Sequence, residues 1–224
     1  MKRWAAMSKI FARLNKDIIL AIKEGGGIAD PDTNARLRAV LQNCKAANMP
    51  KDNIERAIKK ATDKDTSDYK EVTFEGYGPH GIAVYVETAT DNNNRTVANV
   101  RSHFNRGGGQ LGTTGSVEFM FNRMCFFNIQ DTGVDLDDLT LELIDVGAEE
   151  VERDGDANQI IVSAPFESFG GIQSKLEADG YEIVESGLER VPTTTKALSA
   201  EQVEEVEGLF LFLVVGMDPC YHRQ

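Results

Sequence analysis

Cysteine is scarce in this sequence: Cys44, Cys125 and Cys220 are all three of them, widely spaced and without a Cys-x-x-Cys pair. Such usage builds neither a disulfide framework nor a zinc knuckle, and it suits a reducing compartment. Histidine is as rare. His80, His103 and His222 stand far apart, none with another His at i+4 or with acidic residues at ligand spacing, so no metal site is expected. Long apolar runs are missing too. The longest, residues 209–215, is far below the roughly 20 residues that span a bilayer, which excludes a membrane partner of that kind. Lys9, Arg13 and Lys16 interrupt the apolar residues near the N-terminus, so no secretory signal forms and the expected location is cytoplasmic.

Signatures of catalysis are absent as well. Gly107-Gly108-Gly109-Gln110-Leu111-Gly112 matches G-x-G-x-x-G in letters, but it follows an expected helix and precedes a strand, the reverse of a dinucleotide loop. It reads instead as a flexible turn. Ser116, His103 and Asp91 compose a triad only on paper, since none lies in a nucleophile-elbow motif. Cys44 on an apolar helix side and Cys125 beside a strand read as core residues. The acidic residues of 135–156 read as a solvated face rather than as a cation site. The expectation is a non-enzyme with no catalytic residues, cofactor or small-molecule substrate.

What the chain does have is a globular composition, 41% hydrophobic and 27% charged, which argues for folding rather than disorder. Its 224 residues exceed one typical domain, so two or three are expected. The net charge of −12 would by itself oppose a nucleic-acid partner. The average conceals a polarity, because residues 1–64 carry 14 Lys and Arg against 7 Asp and Glu, whereas residues 65–224 carry 10 against 29. One end is therefore basic, a pattern that points towards nucleic acid.

Residues 9–23 place Ile10, Phe11, Leu14, Ile18, Ala21 and Ile22 on one side of a helix and Lys9, Arg13, Lys16 and Lys23 on the other. Gly25-Gly26-Gly27 ends it. A second helix is expected from a cap at Asp30 with Pro31 in its first turn, burying Leu37, Val40, Leu41 and Cys44. After Asn48-Met49-Pro50 a third helix buries Ile54, Ala57, Ile58 and Ala61 and turns Arg56, Lys59 and Lys60 outward. Residues 62–68 are polar and suit a linker. Strands are expected at 69–74 and 82–88, a helix from about Thr96, strands at 117–121 and 126–129, a helix over 136–146, a strand at 160–163, a helix over 166–178 and a strand over 181–188. The segment Asp91-Asn92-Asn93-Asn94-Arg95-Thr96 admits two readings. It is either a capping loop, with Asn94 or Asp91 as the cap, or a polar patch that positions a phosphate backbone.

The run Lys45-Ala46-Ala47-Asn48-Met49-Pro50-Lys51-Asp52-Asn53-Ile54-Glu55-Arg56-Ala57-Ile58-Lys59-Lys60 resembles the signature of the YebC family. The likeness continues through Phe74-Glu75-Gly76-Tyr77-Gly78-Pro79, Thr90-Asp91-Asn92, Asn94-Arg95-Thr96-Val97-Ala98 and Gly112-Thr113-Thr114-Gly115-Ser116-Val117, and it covers about residues 1–207. The resemblance implies an α+β fold. A basic helical domain at 1–68 would precede an α+β domain at 69–130 and 196–224, with a third, also α+β, inserted at 131–195. It also implies a regulator of gene expression, described for the family as a probable DNA-binding transcriptional regulator. The alternatives are a ribosome-associated translation activator that binds ribosomal RNA, and a protein-binding adaptor.

On this reading the partner is nucleic acid, DNA or ribosomal RNA, with the ribosome as its setting in the second case. The expected phosphate contacts are Lys9, Arg13, Lys16, Lys23, Arg36, Arg38, Lys45, Lys51, Arg56, Lys59 and Lys60, then Arg95 and Arg101. Asn48, Met49 and Pro50 would form an exposed contact tip. Two departures from the family pattern stand out. The basic segment usual before Lys2-Arg3-Trp4 is not seen, and in place of an acidic amphipathic ending the chain has the apolar run 209–215. Being apolar all round, that run must be buried, paired with another chain, or disordered and prone to aggregate, and the last is the expectation.

Overall fold

The computed structural model describes the backbone of residues 2–63 and 70–216 and the side chains of 10–63 and 70–213. Most of the expected linker, 64–68, lies outside them. The chain opens with three helices, α1 (Lys2–Glu24), α2 (Ala35–Ala46) and α3 (Lys51–Thr62). Strands β1 (Lys70–Tyr77) and β2 (Ala83–Thr90), helix α4 (Asn93–Arg106) and the short β3 (Gln110–Leu111) follow. Then come β4 (Phe121–Gln130), α5 (Leu136–Ile144), β5 (Glu150–Asp154), β6 (Gln159–Pro165), α6 (Phe169–Ala178), β7 (Ile183–Pro192) and α7 (Ala200–Gly216). The fold is α+β, helical first and mixed thereafter. It divides into two compact units, one of Met1–Thr66 with Arg123–Val191 and one of Ser67–Asn122 with Pro192–Gln224.

In the first unit Leu14, Ile18 and Ile22 of α1 meet Leu37 and Cys44 of α2 and Ala57 of α3 in one buried cluster. Their 3.6-residue spacing supplies the stripe that drives this packing. Ile10, expected on that stripe, is 49% exposed. The cap of α2 is Asn34, not Asp30. The Asn34 carboxamide oxygen accepts from Leu37 N–H at 3.0 Å, and its Nδ2 donates to Ala21 O at 2.9 Å and Ile28 O at 3.0 Å. One buried amide therefore ties the end of α1, the glycine turn and the start of α2 together. Asp30 instead accepts from Asp32 N–H within the preceding turn. Asn34→Ala removes all three bonds and is expected to cost about 2 kcal/mol in a urea denaturation.

The same unit holds a four-stranded sheet in the order β5-β6-β4-β7. Strands β4 and β6 run antiparallel from Met124 opposite Pro165 to Gln130 opposite Gln159. Alternation puts Cys125, Phe127 and Ile129 of β4 beside Ile160, Val162 and Ala164 of β6 on one face, covered by Leu139 and Leu143 of α5 and Ile172 and Leu176 of α6. Strand β5 is absent from the sequence expectation, because Glu150, Glu152, Arg153 and Asp154 carry charge where a strand usually carries apolar residues. Ala39 of α2 joins this second core. Beside it Arg38 Nε lies 3.2 Å from a Glu177 carboxylate oxygen. Asn43 Nδ2 donates to Ser186 O at 2.6 Å while Ser186 N–H donates back to Asn43 Oδ1 at 3.2 Å. Helix α2 thus buries two faces rather than one.

In the second unit a three-stranded sheet, β2-β1-β3, packs against α4 and α7. Phe74, Val84, Val100 and Phe104 form its core together with Leu209 and Leu213. The apolar C-terminal run is therefore not disordered as far as the described residues reach. It continues α7, with Leu209 fully buried and Leu213 nearly so, while Phe210 and Leu211 face outward. Ser199 and Gln202 begin that helix as a reciprocal pair: Gln202 N–H donates to Ser199 Oγ, and Ser199 N–H donates to Gln202 Oε1. The glycine turn after α4 is packed rather than loose. A Cβ built on Gly107 would lie 2.6 Å from Leu209 Cδ1, so only glycine admits α7 at this distance.

Candidate nucleic-acid interface

The basic residues of the helical region divide by their surroundings. Arg13, Lys45, Lys51, Arg56, Lys59 and Lys60 are exposed and Lys16 and Lys23 are half-buried. Arg13 and Lys16 share one face of α1, at i and i+3, and Arg56, Lys59 and Lys60 share one of α3, at i, i+3 and i+4. Lys9 continues the α1 face at i−4 from Arg13 by helical spacing, but its side chain lies outside the described ones. The pairs Arg13–Asp17 and Lys51–Glu55 are exposed i,i+4 contacts, of 3.8 and 3.6 Å, and hold their cations weakly. Arg56 Nε donates to Asp52 O at 3.0 Å and its guanidinium also meets Asn53, which flattens it along α3.

Arg36 and Arg38 face inward. Arg36 pairs with Glu24, and Arg38 serves Glu177 while donating to Pro31 O and Asp32 O. Their neighbours consume the donors that a phosphate would need. The expected tip is corrected as well. Met49 is only 6% exposed and belongs to the helical core, while Asn48 and Pro50 on either side are exposed. Asn48 takes a positive φ of 55°, which turns the chain and drives the apolar Met49 inward.

In the second unit Asn92, not Asn94 or Asp91, caps α4, its side chain accepting from Arg95 N–H at 3.0 Å. Asp91 pairs with Arg95 at 2.7 Å. Arg101 is exposed further along the helix. Asp91 sits before the start of α4 and His103, buried, sits near its end, separated by about 15 Å of helical rise. The paper triad is thus not assembled. Cys44 and Cys125 are pushed up to about 11, Cys44 by burial and Asp17, Cys125 by burial with Glu167 and Glu189 adding, so neither forms a thiolate at neutral pH. Among the described residues no cluster of His, Cys, Asp and Glu is placed to hold a metal, and no helix is long and apolar enough to cross a membrane.

One polar residue escaped the sequence reading. Glu75, in the middle of β1, is 2% exposed, and its carboxylate accepts from the N–H groups of Gly115 at 2.6 Å and of Val117 and Glu118 at 2.8 Å each. Burial raises its pKa, but these donors and Ser116 N–H together outweigh burial and hold the carboxyl below its usual range. The contact also explains why, of the strand expected at 117–121, residues 117–120 do not form one and only Phe121 does, as the first residue of β4. Amides that would join a ladder are taken by Glu75, and a tight turn over Glu118–Met120 results before β4 begins. The available signal was an acidic residue between the apolar Phe74 and the glycine Gly76. The phrases 74–79 and 112–117, far apart in sequence, meet here.

Models of two family segments match the chain: the TACO1/YebC protein N-terminal domain over residues 1–64 and the TACO1/YebC second and third domain over residues 69–213. A probable transcriptional regulatory protein of Flavobacterium johnsoniae is 60% identical over 209 residues, covering 93% of this chain and 86% of its own. One of Porphyromonas gingivalis is 54% identical over 210 residues, covering 93% and 85%. The crystal structure of a conserved hypothetical protein from Aquifex aeolicus superposes with a TM-score of 0.79 at 34% identity, covering 92% of this chain and 84% of that one.

Proposed function

Because this chain belongs to the TACO1/YebC family, we propose that it is a non-enzymatic regulator of gene expression that binds DNA through the outward cations of α1 and α3. The observation that carries the reading is the exposed set Arg13, Arg56, Lys59 and Lys60, with Lys16 beside it, in a region rich in Lys and Arg within a chain of net charge −12. Phosphates would be attracted to this region and repelled by the acidic remainder, which concentrates the phosphate contacts, though not contacts to bases, on residues 1–64. Arg36 and Arg38 drop out of the contact set and act in the fold. The names borne by the relatives agree with regulation. In this reading residues 1–68 engage the nucleic acid, and the domains at 69–130 with 196–224 and at 131–195 set geometry or recruit further components.

A fourfold Arg13, Lys16, Arg56 and Lys59→Gln variant tests the reading, because none of these side chains belongs to the helical core. It should melt like the parent. Each lost contact should reduce the magnitude of the salt slope by about 0.9 on duplex DNA and by about 0.7 on single strands, with affinity falling alike for every sequence. Unchanged affinity and slope would make these faces mere solvated surface. Cosedimentation with ribosomes at low and high salt, alongside retention on DNA, decides between DNA and ribosomal RNA as the target.

A further inference from the structure

Phe119 has the highest exposure, 75%, among the large apolar side chains of the described residues. It does not sit on a loose loop. On one side Glu118 N–H is held by the Glu75 carboxylate at 2.8 Å. On the other, Met120 N–H donates to Val117 O at 2.9 Å, and Met120 O accepts from Thr193 N–H at 2.9 Å. A buried acid thus pins a turn that carries an aromatic ring into solvent. The ring adds nothing to the core of its unit, whose members lie elsewhere.

The surroundings of the ring select among partners. In the turn 112–118 the exposed residues are Gly112, Thr113, Thr114, Gly115 and Glu118, and the one large apolar residue, Val117, is fully buried. Beside the turn stands a second exposed aromatic ring, Tyr77, whose hydroxyl donates to Ser116 O at 3.4 Å. An unpaired nucleobase would find what it needs: a fixed π face for stacking, hydroxyls for its edge, and glycines that allow close approach. An exposed Glu118 carboxylate would repel a phosphate at this point and can accept from an exocyclic amino group, which favours contact through a base over contact through the backbone. Bases inside a duplex are already stacked and cannot reach the ring.

We propose that Phe119, on the turn held by Glu75, is a stacking platform for an unpaired base of single-stranded or looped nucleic acid. This inference rests on the nucleic-acid reading above and adds to it a preference that cations alone do not create. Full-length protein is titrated with one oligonucleotide sequence offered as single-stranded RNA, as single-stranded DNA and as duplex DNA. Phe119→Ala and Phe119→Leu should melt like the parent and lose roughly 5- to 100-fold in affinity for the single strands with duplex affinity unchanged. Phe119→Trp should keep single-strand affinity, and its indole emission, read against the parent's one tryptophan, Trp4, should be quenched on binding. A larger loss on RNA than on DNA would identify RNA as the source of the base. Unchanged single-strand affinity in both the Ala and Leu variants, or an equal loss on duplex, overturns the platform. If the parent binds duplex but no single strand, the platform falls and the nucleic-acid reading stands; if it binds none of the probes, both fall.

Discussion

Ending the chain after Glu207 should unfold the unit built from Ser67–Asn122 and Pro192–Gln224. The deletion takes away Leu209 and Leu213, which close the core formed by Phe74, Val84, Val100 and Phe104. Losing a buried leucine side chain costs about 2–5 kcal/mol, and a whole domain is stable by only about 5–15 kcal/mol, so two such losses remove most of the margin. Leu209→Ala alone should cost about 3 kcal/mol, because the rigid backbone of Gly107 and Gly78 beside it cannot collapse into the space. Hydrogen exchange read along β1, β2 and α4 checks this directly. Protection should vanish there and persist in the sheet of β4 to β7. Phe210→Ser and Leu211→Ser, on the outward side of α7, should leave stability nearly unchanged. A truncated protein that melts like the parent would mean that the tail is dispensable after all.

Glu75→Gln should cost about 3 kcal/mol at neutral pH, since an amide offers one acceptor oxygen where the carboxylate meets N–H groups from Gly115, Val117 and Glu118 with both. The sign of the pH dependence follows from the depressed pKa of Glu75. Above the ordinary Glu value of about 4.3, the carboxylate is charged in both folded and unfolded chains and its full contribution is present. As pH falls below that value the unfolded chain takes up the proton first, and the contribution is lost on the way down through the lower folded pKa. The parent and the Gln variant should therefore differ most near neutrality and converge in acid. Urea denaturation of both proteins at several pH values measures it. A difference that stays constant with pH would mean that the lost stability comes from shape and not from charge.

Much of this architecture was legible in the order of residues because it rests on local periodicity. The stripe Leu14, Ile18 and Ile22, the alternation of Phe127 and Ile129, and the run Ala57, Ile58 and Ala61 report which side of an element is buried without reference to what buries it. Exposed cations such as Arg13, Arg56 and Lys59 were legible for the same reason, since they lie opposite those stripes. Arg36, Arg38 and Met49 were not. Whether an arginine on a helix reaches solvent or Glu177 depends on a partner about 140 residues away, and nothing in the spacing of α2 announces that it has two buried faces.

The sequence alone determined the basic end, the acidic remainder, the helices of the first 62 residues and the resemblance to a family, all of which follow from composition, short-range period or the wording of short phrases. Tertiary structure decided the rest. It decided that residues 209–213 complete a core instead of trailing into solvent, because the glycines at 78 and 107 open a space that only a distant leucine fills. It decided that a glutamate in β1 governs the turn before β4, because a buried carboxylate must be met by donors and the nearest ones belong to amides some 40 residues further along the chain. It decided, too, that Phe119 stands in solvent on a rigid support, since periodicity marks a ring as apolar but only the packing around it determines whether anything covers it.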